Sequence, residues 1–483
     1  MDLLSFKKIH FIGIGGIGVS ALARFFLARK VLVTGTDATD FSDKRELEAA
    51  GAKIAIGEHS AANMPDGVDA VIFSSAIPDA NPELLEAKKR GILVFRYAEA
   101  LGLLMEGHYG IGVSGTNGKT TTTAMLGKML EEMGWDPLVV VGGKVPGWDK
   151  NIRLPKGEGE SSLSRDFPYN IFLAEADEYR RHMLALSPTM IVLTNIEADH
   201  LDYYKDIDDI MDAFGEYVKK LSSENGVLVY NGDDGNAASI ALLAPEGVRT
   251  VSYSTVREAD VRARDITQAG ADQRFEIEWQ GGNLGVFTLP IPGRFNISNA
   301  LAAAAPALVL GADGESIRGA LAGFRGSWRR FERMGTVRHR DVISDYAHHP
   351  TAVRETIHAA KEFFPGKKIL AVFQPHQKDR TRKFMEEFSQ AFREADSALI
   401  LEIYNVSGRD DGPPVSSKEL VEKILADKKN PPVGYVRTTH DALRRIQEII
   451  DPFDVVLIMG AGDVHAVAEG LVKKEHKHRD VNS

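Results

Sequence analysis

Three stretches of the chain pass from a run of apolar residues through a glycine-rich turn into residues with helical periodicity. They are Ile9 to Gly18, Ile111 to Thr120 and Val455 to Gly462. A buried strand followed by a turn and an amphipathic helix is the repeating unit of α/β folds. Each stretch therefore predicts the start, or the ligand-binding edge, of a separate α/β unit.

Short runs rich in Val, Ile and Leu recur between these stretches and alternate with helical segments. The runs are Ala70 to Phe73, Ile171 to Ala174, Met190 to Thr194, Ile369 to Phe373 and Ala398 to Leu401. This alternation predicts mostly parallel sheets flanked by helices.

Two changes of pattern, near Met105 to Tyr109 and near Gly323 to Arg333, indicate domain boundaries. A chain of 483 residues is also long for a single domain. We therefore expect three domains, which comprise residues 1–107, 108–327 and 328–483.

The composition is that of an ordinary globular protein, with 43% hydrophobic and 26% charged residues. A net charge of -10 argues against a general affinity for nucleic acids or anionic membranes. No run approaches the roughly 18 apolar residues of a membrane span, and glycines interrupt the apolar run at the N-terminus. The chain has no cysteine and therefore no disulfide or thiolate metal site. We expect a cytoplasmic protein.

The central glycine turn has the spacing of a phosphate-binding loop. Its residues are Gly115, Thr116, Asn117, Gly118, Lys119, Thr120 and Thr121, between a predicted strand and a predicted helix. Glycines let backbone N–H groups approach a triphosphate, and the helix N-terminus favours negative charge. Lys119 adds a full positive charge, and Thr120 is placed to bind Mg²⁺ as in Walker-type loops.

Candidate metal ligands follow two further strands. Glu175 comes directly after one apolar run, and Asp199, His200 and Asp202 follow the next. The carboxyl ends of parallel strands face one crevice, so these side chains can share a Mg²⁺ site with the phosphate loop. The alternatives are an acidic helix N-terminus for Glu175 and no metal contact for His200, because Mg²⁺ prefers oxygen.

The first glycine turn permits two interpretations. Its G-x-G-x-x-G pattern after a strand, with Asp37 about twenty residues further on, is also typical of a nicotinamide-binding fold. On its own, this turn would favour an oxidoreductase.

In chain order, these motifs resemble those of the Mur ligase family. The resemblance rests on Gly13-Ile-Gly-Gly-Ile-Gly18, Ser74-Ser-Ala-Ile, Gly115-Thr-Asn-Gly-Lys-Thr120, Glu175-Ala-Asp-Glu-Tyr, Asn195-Ile-Glu-Ala-Asp-His200, Asn296-Ile-Ser-Asn299, Asp345-Tyr-Ala-His-His-Pro and Phe373-Gln-Pro-His376. It implies an α/β fold of three domains: a Rossmann-like N-terminal domain, a central P-loop ATPase-like domain and a Rossmann-like C-terminal domain. It also implies that ATP converts a sugar-linked carboxylate into an acyl phosphate, which an amine then attacks.

The resemblance also implies roles for individual residues. Lys119 and Thr120 would hold the triphosphate and Mg²⁺, with Glu175 and His200 as further metal ligands. The remaining ATP contacts would be Asn296 and Asn299 at the adenine, Arg330 at the phosphates and Asp345 at the ribose. The first domain would bind the UDP-sugar, with contacts from Gly15, Gly16, Asp37, Ser74 and Ser75.

In the third domain, the resemblance places the amino-acid site at Tyr346, His348, His376 and Arg380. A guanidinium is suited to clamp a carboxylate through two hydrogen bonds, so Arg380 receives that role. His348 has an alternative reading as part of a His-His-Pro turn. The residues assigned to the chemistry itself are Lys119, Glu175, His200, Arg330, His348 and Arg380.

Phe214 bears on the branch of the family. The branches that add later peptide residues carry a carbamylated lysine near this position. Phenylalanine here favours the branch that adds L-alanine to UDP-N-acetylmuramate, or the related ligase that recycles a tripeptide. A folate polyglutamate-type ligase, a nicotinamide-dependent oxidoreductase and a non-catalytic nucleotide-binding regulator are further alternatives. We expect a monomer or a weak homodimer.

Four positions depart from the pattern of the L-alanine-adding branch. Asn117 and Phe295 replace histidines, Ser344 replaces an aspartate and Gln377 replaces an arginine. Phe295 can still stack on adenine, but Gln377 cannot supply the charge of arginine. The preference among L-alanine, glycine and L-serine is therefore left open.

Overall fold

A computed structural model of the chain describes residues 3–156, 170–269, 272–405 and 412–481. Within these ranges, the strands form three separate sheets along the chain, of five, ten and six strands. Helices flank each sheet, so the predicted α/β class and three-domain architecture are confirmed. No helix in the described ranges is both long and apolar enough to cross a bilayer.

The first sheet is entirely parallel, with strand order β3-β2-β1-β4-β5. Its strands are β1 (Lys8–Ile12), β2 (Leu32–Asp37), β3 (Lys53–Ile56), β4 (Ala70–Phe73) and β5 (Leu93–Arg96). The helices are α1 (Ile17–Ala28), α2 (Lys44–Ala49), α3 (Pro82–Lys89) and α4 (Tyr97–Met105). The glycine turn between β1 and α1 lies at the carboxyl edge of this sheet, where α/β folds bind ligands.

The central sheet has the order β15-β14-β13-β12-β11-β10-β6-β9-β7-β8. Its strands are β6 (Tyr109–Ser114), β7 (Leu138–Val140), β8 (Ile152–Arg153), β9 (Ile171–Glu175), β10 (Met190–Leu193), β11 (Val227–Asn231), β12 (Arg249–Ser254), β13 (Val261–Ala269), β14 (Asp272–Trp279) and β15 (Gly282–Leu289). Its helices are α5 (Lys119–Glu132), α6 (Ile207–Val218), α7 (Gly235–Ala241), α8 (Arg294–Val309) and α9 (Gly314–Gly323). The strands β9, β6 and β10 are adjacent and parallel, so the motifs that follow them meet at one edge.

The third sheet has the order β16-β17-β21-β18-β19-β20 and is parallel except for β16. Its strands are β16 (Glu332–Val337), β17 (Arg340–Asp345), β18 (Ile369–Phe373), β19 (Ser397–Leu401), β20 (Val433–Val436) and β21 (Val455–Met459). Its helices are α10 (Pro350–Phe363), α11 (Lys378–Lys383), α12 (Met385–Gln390), α13 (Ser417–Ala426), α14 (Thr439–Ile449) and α15 (His465–Val481). Apolar clusters cover both faces of this sheet.

Apolar packing continues from the first domain into the central one. Phe11 and Phe26 of the first domain belong to the same buried cluster as Phe172 and Tyr217 of the central domain. Backbone contact is also close, because a Cβ atom added to Gly102 would lie 2.1 Å from the carbonyl oxygen of Ala185. These contacts hold the first domain against the central domain beside the carboxyl edge of the central sheet.

Candidate active site

The phosphate-binding loop joins the end of β6 to the start of α5 and is fastened to the end of β10. The Thr116 N–H donates to the Asn195 carbonyl at 2.8 Å, and the Asn117 N–H donates to Asn195 Oδ1 at 3.0 Å. Gly118 is the N-cap of α5, at φ +89°, and has no side chain to accept hydrogen bonds from the first turn. Those N–H groups are therefore available to a phosphate.

Lys119 lies half-buried at the base of this loop. Its Nζ lies 2.7 Å from Glu178 Oε2 and also donates to the Gly115 carbonyl. Burial would lower the pKa of Lys119, but the charges of Glu178 and Asp177 outweigh it and raise that pKa above its usual value. The ammonium group therefore stays charged and can neutralise a phosphate.

Glu175 ends β9 and faces the phosphate loop. Its Oε2 accepts a hydrogen bond from Thr120 Oγ1 at 3.2 Å, and its Oε1 accepts from the Gly142 N–H. Burial raises the pKa of Glu175, while the charges of Lys119 and Arg330 act in the opposite direction. The structure thus brings together three side chains that the sequence predicted to share one site.

His200 lies in the segment that follows β10, with its Nε2 3.7 Å from Oε1 of Glu178, the partner of Lys119. Asp177, Glu178 and His200 can each present one ligand atom, and these atoms lie within 4.8 Å of one another. His200 has a left-handed backbone at φ +52°, and its Nδ1 is buried with no hydrogen-bond partner in the described part of the chain. Two carboxylates and an imidazole nitrogen fit a divalent cation, with Mg²⁺ favoured by the oxygens. The structure thus groups His200 with Asp177 and Glu178, whereas the Thr120 hydroxyl bonds to Glu175.

The two asparagines of α8 lie against the phosphate loop. Asn299 Oδ1 would be 2.3 Å from a Cβ atom on Gly118, so only glycine permits this approach. Asn299 Nδ2 donates to Asn296 Oδ1 at 3.1 Å, and Asn296 Nδ2 donates to the Pro292 carbonyl at 2.6 Å. The pair is therefore fixed directly against the phosphate-binding loop.

Arg330 and Asp345 lie where the central domain joins the third. The positive charge of Arg330 acts to lower the pKa of Glu175, against the effect of burial. The Arg330 guanidinium carbon is 4.9 Å from the centre of the Tyr346 ring. Asp345 is buried, and its carboxylate accepts hydrogen bonds from the N–H groups of Phe331 and Ala347, both at 2.7 Å. Asp345 therefore also fixes the backbone next to Arg330.

A cavity of about 200 Å³ connects the first domain to the central site. Asp37 Oδ2 accepts a hydrogen bond from the Gly15 N–H at 2.9 Å and stabilises the glycine turn beside it. The lining combines residues of the first domain, Gly16, Ser74, Ser75 and Tyr97, with residues of the central domain, Glu175, Asp177 and His182. A ligand seated on the first glycine turn can thus reach the candidate metal ligands.

The predicted amino-acid site forms a cluster on the third domain. The His348 ring centre is 5.2 Å from that of Tyr346 and 6.0 Å from that of His376. Burial and the charge of Arg380 hold the pKa of His348 well below its usual range. His348 Nδ1 lies 2.9 Å from the Tyr346 carbonyl oxygen, which can only accept, so Nδ1 carries the proton and Nε2 offers a lone pair.

Arg380 is already engaged by the central domain. Its Nη2 and Nε donate to Asp199 Oδ1 at 2.7 and 3.0 Å, and both side chains are buried. Although burial acts in the opposite direction, the guanidinium holds the pKa of Asp199 well below its usual range. Arg380 therefore connects the amino-acid cluster to the segment that carries His200.

Comparison with known proteins agrees with this arrangement. Three family models match the chain. The model "Mur ligase family, catalytic domain" matches residues 8–109, "Mur ligase middle domain" matches residues 113–307, and "Mur ligase, glutamate ligase domain" matches residues 329–462. The UDP-N-acetylmuramate--L-alanine ligase of Salinibacter ruber is 39% identical over 97% of this chain and 94% of its own length. The chain belongs to the Mur ligase family.

Solved structures extend the likeness to three dimensions. The crystal structure of UDP-N-acetylmuramate-alanine ligase MurC from Thermotoga maritima has a TM-score of 0.79 and 27% identity, over 98% of this chain and 99% of that one. A murein peptide ligase from Psychrobacter arcticus has a TM-score of 0.72 at 24% identity, over 97% and 98% of the two chains. The second likeness supports the fold of this Mur ligase.

The four departures take structural roles that are compatible with the site. The Asn117 N–H bonds to Asn195, and Phe295 packs against the core of the third domain. Ser344 Oγ lies 2.9 Å from His465 Nδ1. Gln377 is buried with φ +70°, an unusual backbone for a residue other than glycine, beside the amino-acid cluster.

Sequence reasoning did not predict the ion pairs at the site of this Mur ligase, although it named Asp199 as a candidate metal ligand. Glu178 pairs with Lys119, and Asp199 pairs with Arg380. Both acids stand in motifs whose position after a strand indicated the site, but their partners are 59 and 181 residues away. Gly142 and Lys144 had no local signal, because they act through contacts with distant segments.

Proposed function

We propose that this Mur ligase joins L-alanine to the carboxylate of UDP-N-acetylmuramate, with conversion of ATP to ADP and phosphate, in peptidoglycan precursor synthesis. The relatives that carry this activity as their name match 94% to 100% of their length. The cavity that runs from the first glycine turn to Glu175 is the observation on which the proposal depends. It lets the carboxylate of a bound UDP-sugar approach the γ-phosphate of ATP.

The proposed reaction has two steps, phosphorylation of the carboxylate and attack by the amine. A carboxylate oxygen attacks the γ-phosphorus, the bond to ADP breaks, and an acyl phosphate forms. The amine of L-alanine then attacks the acyl carbon, the carboxyl oxygen leaves with the phosphate, and the amide forms. The two protons lost by the ammonium group pass to a base and to the phosphate or solvent.

The charged side chains around the phosphate loop stabilise the first step. Lys119 and Arg330 offset the charge of the phosphates, while Gly115 and Gly118 let the backbone approach them. We assign Thr120, Glu175 and His200 as the residues that would hold Mg²⁺, which when bound supplies further neutralisation of phosphate charge. Asn296, Asn299 and Asp345 are the proposed contacts of the adenosine part of ATP.

The third domain is the proposed binding site for L-alanine, whose amine attacks the acyl phosphate. Tyr346, His348, His376 and Arg380 are the proposed residues around L-alanine. The lowered pKa of His348 keeps its Nε2 unprotonated near neutral pH, so Nε2 can accept a hydrogen bond from the amino group of L-alanine. Because Arg380 is shared with Asp199, binding of the amino-acid carboxylate is tied to the position of the His200 segment.

The proposal places the reaction in the cytoplasm, where ATP is available. We propose residues 1–107 as the UDP-sugar domain, residues 108–327 as the ATP domain and residues 328–483 as the amino-acid domain. A monomer or a weak homodimer is expected, because the three domains of one chain supply every residue assigned to the site.

A ligation assay tests this function. The protein is incubated with ATP, Mg²⁺ and UDP-N-acetylmuramate, together with L-alanine, glycine, L-serine or the tripeptide, and ADP and product mass are measured. We expect ADP release that requires both L-alanine and the UDP-sugar, with one amide per ADP. Lys119→Ala should reduce turnover by about 10²-fold or more. Lys128→Ala, on the outer part of the same helix, should not.

Other outcomes contradict the proposal. Preference for the tripeptide would assign the recycling reaction instead. Absorbance changes of a nicotinamide cofactor without ATP would indicate an oxidoreductase. Near-normal turnover of Lys119→Ala, with thermal denaturation showing an unchanged fold, would contradict the role of the phosphate loop.

A further inference from the structure

The segment 142–151, between β7 and β8, contacts all three domains, and we name it the bridging segment. Its first residue, Gly142, donates its N–H to Glu175 in the central domain. Lys144 extends to the first domain, where its Nζ lies 2.7 Å from Asp43 Oδ1. The Lys144 carbonyl accepts the Trp328 N–H, at the start of the third domain, at 2.8 Å.

The beginning of the bridging segment has no free space around the proposed metal ligands. A Cβ atom on Gly142 would lie 3.0 Å from Glu175 Oε2, and one on Gly143 would lie 3.0 Å from Thr120 Cγ2. The Gly142 N–H also donates a hydrogen bond to Glu175 Oε1, so this backbone is packed directly against the carboxylate. A displacement of the bridging segment therefore displaces Glu175 and Thr120.

Lys144 connects this backbone to the glycine turn of the first domain. Asp43 is buried, and its pKa is lowered because the hydrogen bond and charge of Lys144 outweigh the opposite effect of burial. Asp43 stands two residues after Phe41, whose ring would be 2.7 Å from a Cβ atom on Gly15. The short stretch that holds Lys144, residues 41–43, therefore packs directly against the glycine turn.

Lys144 also contacts the entrance to the third domain. Its Nζ lies 5.3 Å from the centre of the Trp328 ring, which is within the range of a cation–π interaction. The Trp328 ring in turn meets the His465 ring edge-on at 5.5 Å. Trp328 is two residues before Arg330, the proposed phosphate contact, so this side of the active site is tied to the same lysine.

We propose that Lys144 is a positioning residue that couples the binding of the sugar nucleotide to the binding of ATP. A ligand seated on the first domain orders residues 41–43, Asp43 fixes Lys144, and the bridging segment then holds Glu175 in place. The inference rests on the proposed function, because it takes the first-domain ligand to be a UDP-sugar. Coupling of this kind is reciprocal, so each ligand must strengthen the binding of the other by the same factor.

Calorimetric titration measures this coupling factor. The probe is AMP-PNP with Mg²⁺, titrated with and without saturating UDP-N-acetylmuramate. In the unmodified protein we expect the sugar nucleotide to tighten AMP-PNP binding about tenfold. Lys144→Met should reduce this factor to below about twofold, while the affinity for each ligand alone changes little. Lys144→Arg keeps the charge and should restore the coupling.

Lys150→Met is the matched control. Lys150 lies on the same bridging segment and pairs with Glu46 of the first domain at 2.8 Å, but both side chains are more exposed, at 34% and 47%. Asp43, the partner of Lys144, is only 10% exposed. The exposed pair contributes little to docking, so we expect Lys150→Met to keep the coupling of the unmodified protein.

The titrations distinguish a wrong assignment of the ligase function from a wrong role for Lys144. If the unmodified protein binds AMP-PNP but no UDP-N-acetylmuramate, the proposed function is wrong and the inference falls with it. If both ligands bind but the coupling factor is one, or Lys144→Met leaves it unchanged, the inference alone is overturned. Equal loss of coupling in Lys144→Met and Lys150→Met also overturns it, because the effect would then belong to the interface in general.

Discussion

At the scale of single residues, Glu83 shows how a charged group is stabilised in the first domain. Its side chain is fully buried, and both carboxylate oxygens accept hydrogen bonds, from His10, Thr36, His59 and Asn63. Burial alone would raise the pKa of Glu83, but these hydrogen bonds lower it from 4.5 to about 2. The folded domain therefore stabilises the ionised form of the Glu83 carboxyl group.

This lowered pKa predicts how stability depends on pH. A carboxyl with a depressed pKa contributes stability above its unfolded pKa and loses that contribution as pH falls through its folded pKa. Glu83→Gln should therefore cost roughly 3 kcal/mol near pH 7, and the difference should shrink as pH falls from 4.5 towards 2. Urea denaturation across this pH range measures the difference. Glu48→Gln, at an exposed glutamate of the same domain, should change little, and a cost of Glu83→Gln that is independent of pH would contradict the explanation.

Residues of the site differed in how far the sequence could predict them. Lys119, Thr120 and Glu175 could be placed together because each follows a strand of one parallel sheet, and such strands end at a common edge. The Lys119–Glu178 and Arg380–Asp199 pairs could not, because a side chain's partner depends on the packing of distant segments. The role assigned to Arg380 from sequence, a clamp for a free carboxylate, stays a prediction, since the guanidinium already holds Asp199.

At the scale of elements, the unit formed by β6, the glycine turn and α5 depends on glycine for two separate reasons. Gly118 has φ +89°, and it also allows the close approach of Asn299. Gly134, after the other end of α5, has φ +77° but no atom within 4 Å of an added Cβ. Gly118 and Gly134 therefore share a left-handed backbone, but only Gly118 has a neighbouring side chain, Asn299, that an added Cβ atom would displace.

Alanine at these two glycines separates strain from contact. Both Gly118→Ala and Gly134→Ala should lose about 1 kcal/mol of stability to the left-handed backbone. Only Gly118→Ala should weaken AMP-PNP binding, by about tenfold or more, because it displaces Asn299 and the turn that holds the phosphates. Thermal denaturation and calorimetric titration provide the two readouts. Equal nucleotide affinity of the two variants would contradict the role given to this contact.

The elements of the fold were mostly predictable from pattern. The apolar runs at β4, β9, β10, β18 and β19 are strands, and the three glycine turns lie between strands and helices as expected. The antiparallel strands β13, β14 and β15 at the edge of the central sheet were not expected. Their alternation of buried and exposed positions is weaker than the continuous apolar runs of buried parallel strands, and it carries no motif.

At the scale of the whole molecule, the active site is assembled between domains. Apolar packing fixes the first domain to the central one, whereas polar contacts dock the third domain onto the segment 198–201. His349 Nε2 lies 3.2 Å from the Ala198 carbonyl, Arg380 binds Asp199, and Lys383 Nζ donates to the Leu201 carbonyl at 2.6 Å. No sequence pattern encodes this docking, because it depends on surfaces that exist only after each domain has folded.

We propose that these domains together activate a carboxylate by phosphorylation, and isotope labelling tests this step directly. UDP-N-acetylmuramate labelled with ¹⁸O in its carboxylate is incubated with ATP, Mg²⁺ and L-alanine, and the released phosphate is examined by mass spectrometry. An acyl phosphate intermediate predicts one labelled oxygen in the phosphate for each amide formed. Unlabelled phosphate accompanying amide formation would contradict the claim.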